Sequence, residues 1–198
     1  MILFELTQTE RSPVYEEMEI SNAGRQYDFL RSIILCAINV DRPQISHSVI
    51  KALNYHAIAC LHTSAGEYRP CEVVVGNHTP PASYRVQALM EDFVDCINRY
   101  WEKADPIYLA AWALWRMNYV HPFINGNGRT ARAISYFILC VKVGGLLPGE
   151  KIIPQLIKEN RSEYVAALRK ADDTLRATGK PDLEDLAGLF DRLLKEQL

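Results

Sequence analysis

The sequence predicts an all-α domain carrying one small β-hairpin, and three observations carry that prediction. Apolar residues recur at helical spacing through most of the chain. The segments opened by Asp105-Pro106 and by Arg129 are apolar over nearly their whole circumference, as buried helices are. A single cluster of β-branched residues, Val73-Val74-Val75, reads as extended.

The elements follow in order. An apolar-rich helix over 27–40 is broken by Asp41-Arg42-Pro43, and a second helix covers 46–61. The extended segment 68–75 runs into the turn signal Gly76-Asn77, and so isolated a hairpin cannot found a sheet. Over 83–101, Val86, Leu89, Met90, Phe93, Val94, Ile97 and Trp101 stand three and four apart, which is an amphipathic helix. Asp105 can cap free amides and Pro106 suits the first helical position, so a helix starts there. The helix over 129–143 stops at Gly144-Gly145, and two more cover 161–177 and 183–194.

The chain has 198 residues and 22.5 kDa, the size of one domain. Its 22 basic and 24 acidic residues leave a net charge of −2, which excludes a general nucleic-acid binder. Any phosphate chemistry must be local. No apolar run approaches the roughly 20 residues that span a bilayer, and the first residues lack the basic stretch of a signal peptide. The five cysteines are dispersed without a CxxC pair, as reduced thiols are, and the expected location is the cytoplasm. The histidines at 47, 56, 62 and 78 show no zinc spacing.

The most informative segment lies between the two apolar helices: His121-Pro-Phe-Ile-Asn-Gly-Asn-Gly-Arg-Thr-Ala-Arg132. Gly126, Asn127 and Gly128 make a tight turn before a helix, where converging amides and the helix dipole suit an anion. Arg129 and Arg132 stand three apart in its first turn, on one face, an unfavourable place for cations unless an anion sits between them. His121 ends the preceding helix and, as a neutral imidazole, can serve as a general base for a hydroxyl.

This segment resembles the Fic (Fic/Doc) signature, His-x-Phe-x-(Asp/Glu)-Gly-Asn-Gly-Arg-x-x-Arg, at His121, Phe123, Gly126, Asn127, Gly128, Arg129 and Arg132. The stretch from His62 through the Val-rich segment to Pro80-Pro81 is similar to the family's flap region, and the likeness runs over about 45–195. The resemblance implies a Fic-type helical bundle, a core over 45–198 with C-terminal helices, and an N-terminal helical extension over 1–44. It also implies a β-hairpin flap over the active site. The implied activity is protein adenylyltransfer: AMP passes from ATP, with Mg²⁺ or Mn²⁺, to a Ser, Thr or Tyr hydroxyl of a target protein. His121 would take the hydroxyl proton and Phe123 would anchor the loop. The amides of Gly126 and Gly128, with the Asn127 side chain, would hold the α- and β-phosphates. Arg132 would meet the γ-phosphate and Arg129 would support the turn. The flap edge at Glu72, Val73, Val74 and Val75 would pair with an extended target segment. Doc kinases carry Lys where this chain has Gly128, which places it on the AMP-transfer branch.

Asn125 departs from the signature, whose acid holds the metal. It is the one metal-ligand candidate, and a neutral carbonyl is a weaker ligand for a hard dication. Two other functional classes therefore stand beside the enzyme: a nucleotide- or phosphate-binding module with little turnover, and a toxin-like component controlled by a separate inhibitor protein. Implied partners are ATP and a hydroxyl-bearing protein, the chain itself included; an oligomer is compatible, and neither nucleic acid nor membrane is expected. Many Fic proteins are held inactive by a helix bearing (Ser/Thr)-x-x-x-Glu-(Gly/Asn). Ser12 to Glu16 has that spacing but is followed by Glu17, and a plain cap of a surface helix by Ser12 is the simpler reading. Trp112 and Trp115 read as core, and Glu67 as a solvated loop carboxylate.

Overall fold

The structure, a computed structural model, describes residues 2–40, 44–76 and 78–198. The expected break at 41–43 and the Asn77 half of the expected turn lie outside the described residues.

Nine α-helices form among the described residues. They are α1 (Leu3–Thr7), α2 (Pro13–Val40), α3 (His47–Ile58), α4 (Val86–Tyr100), α5 (Pro106–Val120), α6 (Asn127–Val143), α7 (Ile153–Glu159), α8 (Arg161–Thr178) and α9 (Glu184–Gln197). Three of the starts are set by side-chain caps. The Ser46 hydroxyl accepts from the Val49 amide and the Asp105 carboxylate from the amides of Ile107 and Tyr108, satisfying donors that the first turn leaves free. Ser12 accepts from the Tyr15 amide at 3.2 Å, so α2 begins at residue 13, well before the apolar run seen in the sequence. At the other end of α6, Gly144 takes the left-handed conformation and returns its amide to Cys140 and Val141.

The apolar character of α5 and α6 has the expected cause. They pack along each other at the centre, with α4, α8 and α9 against α5, and α2, α3 and α7 against α6. Ala110, Ala113, Leu114, Ile134 and Ile138 are fully buried there. Leu30 and Ile34 of α2 enter the same core, so the second half of that helix is integral to the body. A separate small cluster of Leu3, Tyr15 and Leu61 ties α1 and the start of α2 to the end of α3.

The predicted hairpin does not form. Among the described residues there is no strand, only an isolated antiparallel bridge in which Val75 and His78 exchange two backbone hydrogen bonds of 3.0 Å. The β-branched run has no partner strand, so the segment is an extended flap closed by a single bridge.

Candidate functional site

The chain from α5 to α6 is shaped by groups that leave little freedom. His121 ends α5 in the left-handed conformation at φ 49°, its amide bonded to the Met117 carbonyl at 3.0 Å. Phe123 is fully buried. Asn127 closes the loop: its side chain accepts from the Phe123 amide at 2.9 Å and donates to the Phe123 carbonyl at 2.8 Å. The Asn127 side chain, expected to hold phosphate, is 2% exposed here and bonds Phe123 at both polar ends. Gly126 is required at its place. Its φ is +77°, and a Cβ there would stand 2.7 Å from Ile58 Cγ2. Asn54 of α3 ties the loop to its surroundings, donating to the Asn125 backbone carbonyl and the Thr130 hydroxyl and accepting from the Gly66 amide.

The loop opens onto a cavity of about 530 Å³. His121, Gly128 and Arg132 line it together with Asn118, Tyr164, Trp115, His78 and Asp172. Burial pushes the His121 imidazole down to about 4, so it stands neutral at ordinary pH, as a proton acceptor must. Burial also works against the charge of Arg132, yet among the described residues its guanidinium has no hydrogen bond or ion pair. It folds over Gly128, where a Cβ would stand 3.3 Å from Arg132 Nη1. The Tyr164 hydroxyl is buried without a partner on the same wall. A cation and a hydroxyl left unmatched beside a helix N-terminus are what an anionic ligand would satisfy. A second hollow, on the outside of α8, is open surface and contains neither His121 nor Arg132.

The two arginines do not share a face, contrary to expectation. Arg129 turns away from the cavity and donates to the Ala57 carbonyl at 3.0 Å and to Asn125 Oδ1 at 2.9 Å, while pairing with Glu19 of α2 at 3.1 Å. These bonds tie the turn to α2 and α3. Asn125 is thus engaged at both ends, since its Nδ2 donates to Glu10 Oε1 at 2.9 Å and meets His62 Nε2 at 2.9 Å. Burial holds the His62 imidazole below its usual range, and the Tyr15 hydroxyl lies 2.8 Å from the same nitrogen. The N-terminal carboxylates that reach the motif are Glu10 and Glu19. Glu16, the expected one, is exposed and has no ion pair among the described residues. The donor set at position 125 does not fit a resident divalent cation. Its one carbonyl is held by a guanidinium, and no three His, Cys, Asp or Glu side chains converge among the described residues.

Arg69, which sequence reasoning passed over, fixes the flap. It is 2% exposed and donates to the carbonyls of His121 at 2.8 Å, Cys71 at 2.9 Å and Pro81, while its amide donates to Pro122. Only its place in the flap region could have marked it. Glu72 accepts from the Ser83 amide and hydroxyl, both at 2.8 Å. Beyond it, the backbone groups of Val73 and Val74 bond to no other backbone group among the described residues, and Val74 and Val75 are exposed. The edge expected for a target segment is therefore open, though its hairpin is not formed.

The chain is similar to known proteins of one family. The model of the Fic/DOC family matches residues 44–139. Protein adenylyltransferase Fic of Drosophila willistoni is 38% identical over 109 residues, 54% of this chain and 20% of that protein. The counterpart in Drosophila persimilis is 36% identical over the same length. The chain spans about a fifth of the length of these curated relatives. Fic-1 of C. elegans, solved over its residues 134–508, superposes with a TM-score of 0.73 at 25% identity, over 95% of this chain and 51% of that one. A Fic domain containing signaling protein from Bacteroides thetaiotaomicron has the same fold, with a TM-score of 0.70 at 21% identity over 94% of this chain and 70% of that one.

Proposed function

This chain carries a Fic/DOC-family domain, and from that premise we propose that it is a protein adenylyltransferase, moving AMP from ATP to a Ser, Thr or Tyr hydroxyl of a target protein. The observation that carries the reading is the meeting of a neutral His121 with an unpartnered Arg132 in one cavity. The body over 45–198 holds the reaction, and the second half of α2, within the extension over 1–44, shares its core.

The hydroxyl gives its proton to His121 as its oxygen attacks the α-phosphorus. The bond from that phosphorus to the bridging oxygen breaks, and pyrophosphate leaves with the electron pair. Free amides at the start of α6 around Gly128 hold the phosphates, and Arg132 takes the terminal one. Tyr164 donates its unmatched hydroxyl to the same nucleotide. These groups act by position and charge. The open edge at 72–75 takes the target as an added strand, giving register with little sequence demand. No step runs through a metal held by Asn125. A divalent cation would enter on the nucleotide's phosphates, as part of the substrate.

Incubation with α-phosphate-labelled ATP and Mg²⁺ tests this. Label on a lysate protein or on the chain itself, absent with His121→Ala, is the expected result. A second reading, a nucleotide holder, is favoured by one observation: the Asn125 carbonyl is taken by Arg129. It is the outcome if ATP binds, no label appears, and Asn125→Asp transfers AMP.

A further inference from the structure

We propose that Asp172 is a positioning residue. Through the His78 imidazolium it clasps the flap to α8, and so sets where the 72–75 edge presents itself to a target segment. The proposal rests on the reading above, in which that edge receives the target.

Three elements meet at this point. His78 follows the flap tip, and its backbone makes both bonds of the bridge to Val75. Its Nε2 lies 3.0 Å from the Tyr119 carbonyl of α5, and its Nδ1 lies 3.3 Å from Asp172 Oδ2 of α8. Asp172 is itself fixed, since Trp115 Nε1 donates to its other oxygen at 2.9 Å. Both side chains are largely buried, at 18% and 13% exposure. Nδ1 faces the carboxylate at 3.3 Å in imperfect alignment, so the contact depends on an Nδ1–H and on the ring's charge. An imidazolium can serve Tyr119 and Asp172 together, with one N–H for each. A neutral ring has a single N–H and must release one of them.

The groups facing His78 favour its charged form on balance. Asp172 raises its proton affinity most, followed by the Tyr119 carbonyl, against burial and the charge of Arg176 on α8; Tyr119 also lays its ring 5.7 Å away. His121, beyond the end of α5, is pushed down in part by the charge on His78 and Arg69. His78 thus titrates above its ordinary 6.5. The clasp is complete below that value and is lost as the pH rises through the folded one.

Hydrogen exchange on the full chain tests it without any need for activity. Protection of the Val75 and His78 amides, corrected for intrinsic exchange, is followed from about pH 5 to about pH 9. The expected result is a fall in protection that tracks the His78 ring titration by NMR. In Asp172→Asn, where the amide can still accept from Trp115, both move to lower pH. His78→Gln should show weak protection at every pH. Profiles that coincide in wild type and Asp172→Asn overturn the clasp. With transfer measured, target KM should rise about tenfold in both variants while kcat falls far less; an unchanged target KM overturns the presentation role. Absence of transfer in every form counts against the adenylyltransferase reading, and the exchange profiles then decide the clasp alone.

Discussion

The Asn125 side-chain amide donates to the Glu10 carboxylate across 2.9 Å, joining the one departure from the family signature to the segment before α2. A carboxylate at position 125 would meet Glu10 as a like charge. The repulsion should cost about 1 kcal/mol, read as the coupling between positions 125 and 10 because Arg129 gains a charged partner in Asn125→Asp, and salt should reduce it since Glu10 is half-exposed. Adding Glu10→Gln should restore the loss. Denaturant unfolding of the four members of the cycle checks this, and strictly additive effects would refute the coupling.

The depressed His121 value fixes a pH profile. Because the neutral ring is the base, single-turnover transfer should stay level above about pH 5 and decline only as the pH drops through about 4. A midpoint near 6.5 would mean that the ring is solvated in the working enzyme. His121→Ala should cost about 10²- to 10⁴-fold in rate.

Arg132→Ala should act in opposite directions on binding and stability. The wild-type guanidinium is half-buried and has no partner among the described residues, so its removal should leave the thermal midpoint unchanged or raise it. ATP affinity should fall by about ten- to a hundredfold, with AMP affinity nearly unaffected, if the terminal phosphate is its ligand. Calorimetric titration with both nucleotides separates these cases.

Tyr164→Phe follows the same logic in milder form. Its hydroxyl is orphaned, so the variant should be at least as stable as wild type in chemical denaturation. Nucleotide affinity should drop by about three- to tenfold if that hydroxyl meets the ligand. Equal affinity would place the nucleotide elsewhere in the cavity.

Most of the fold was legible because burial writes itself as period. The continuous apolarity of α5 and α6 announced the centre, and Asp105, Pro106 and Gly144 marked ends that the structure keeps. The short helices α1 and α7, of five and seven residues, carry too little of a period to be seen. The flap misled because three valines in a row favour a strand, while strand formation needs a partner that this chain does not supply. In the site, residue types pointed to His121, Gly126, Gly128 and Arg132. Direction did not follow from type: Asn127 turned inward and Arg129 sideways, each drawn by nearby backbone groups. Asn54, Arg69, Tyr164 and His78 act through contacts distant in sequence, which spacing does not encode.

Arg69 has a consequence for how such a protein can change. It grips the carbonyls of His121, Cys71 and Pro81, along with its own amide's bond to Pro122, and reads no side chain at any of them. Beyond the side chains of Glu72, which pairs with Arg69 at 3.6 Å, and His78, the frame of the flap is therefore indifferent to the residues displayed at 73–75. Substitutions at Val73, Val74 or Val75 can redraw the surface offered to a target while the anchorage beside His121 stays intact. Recognition and chemistry can drift apart through mutation, one diversifying while the other stands still.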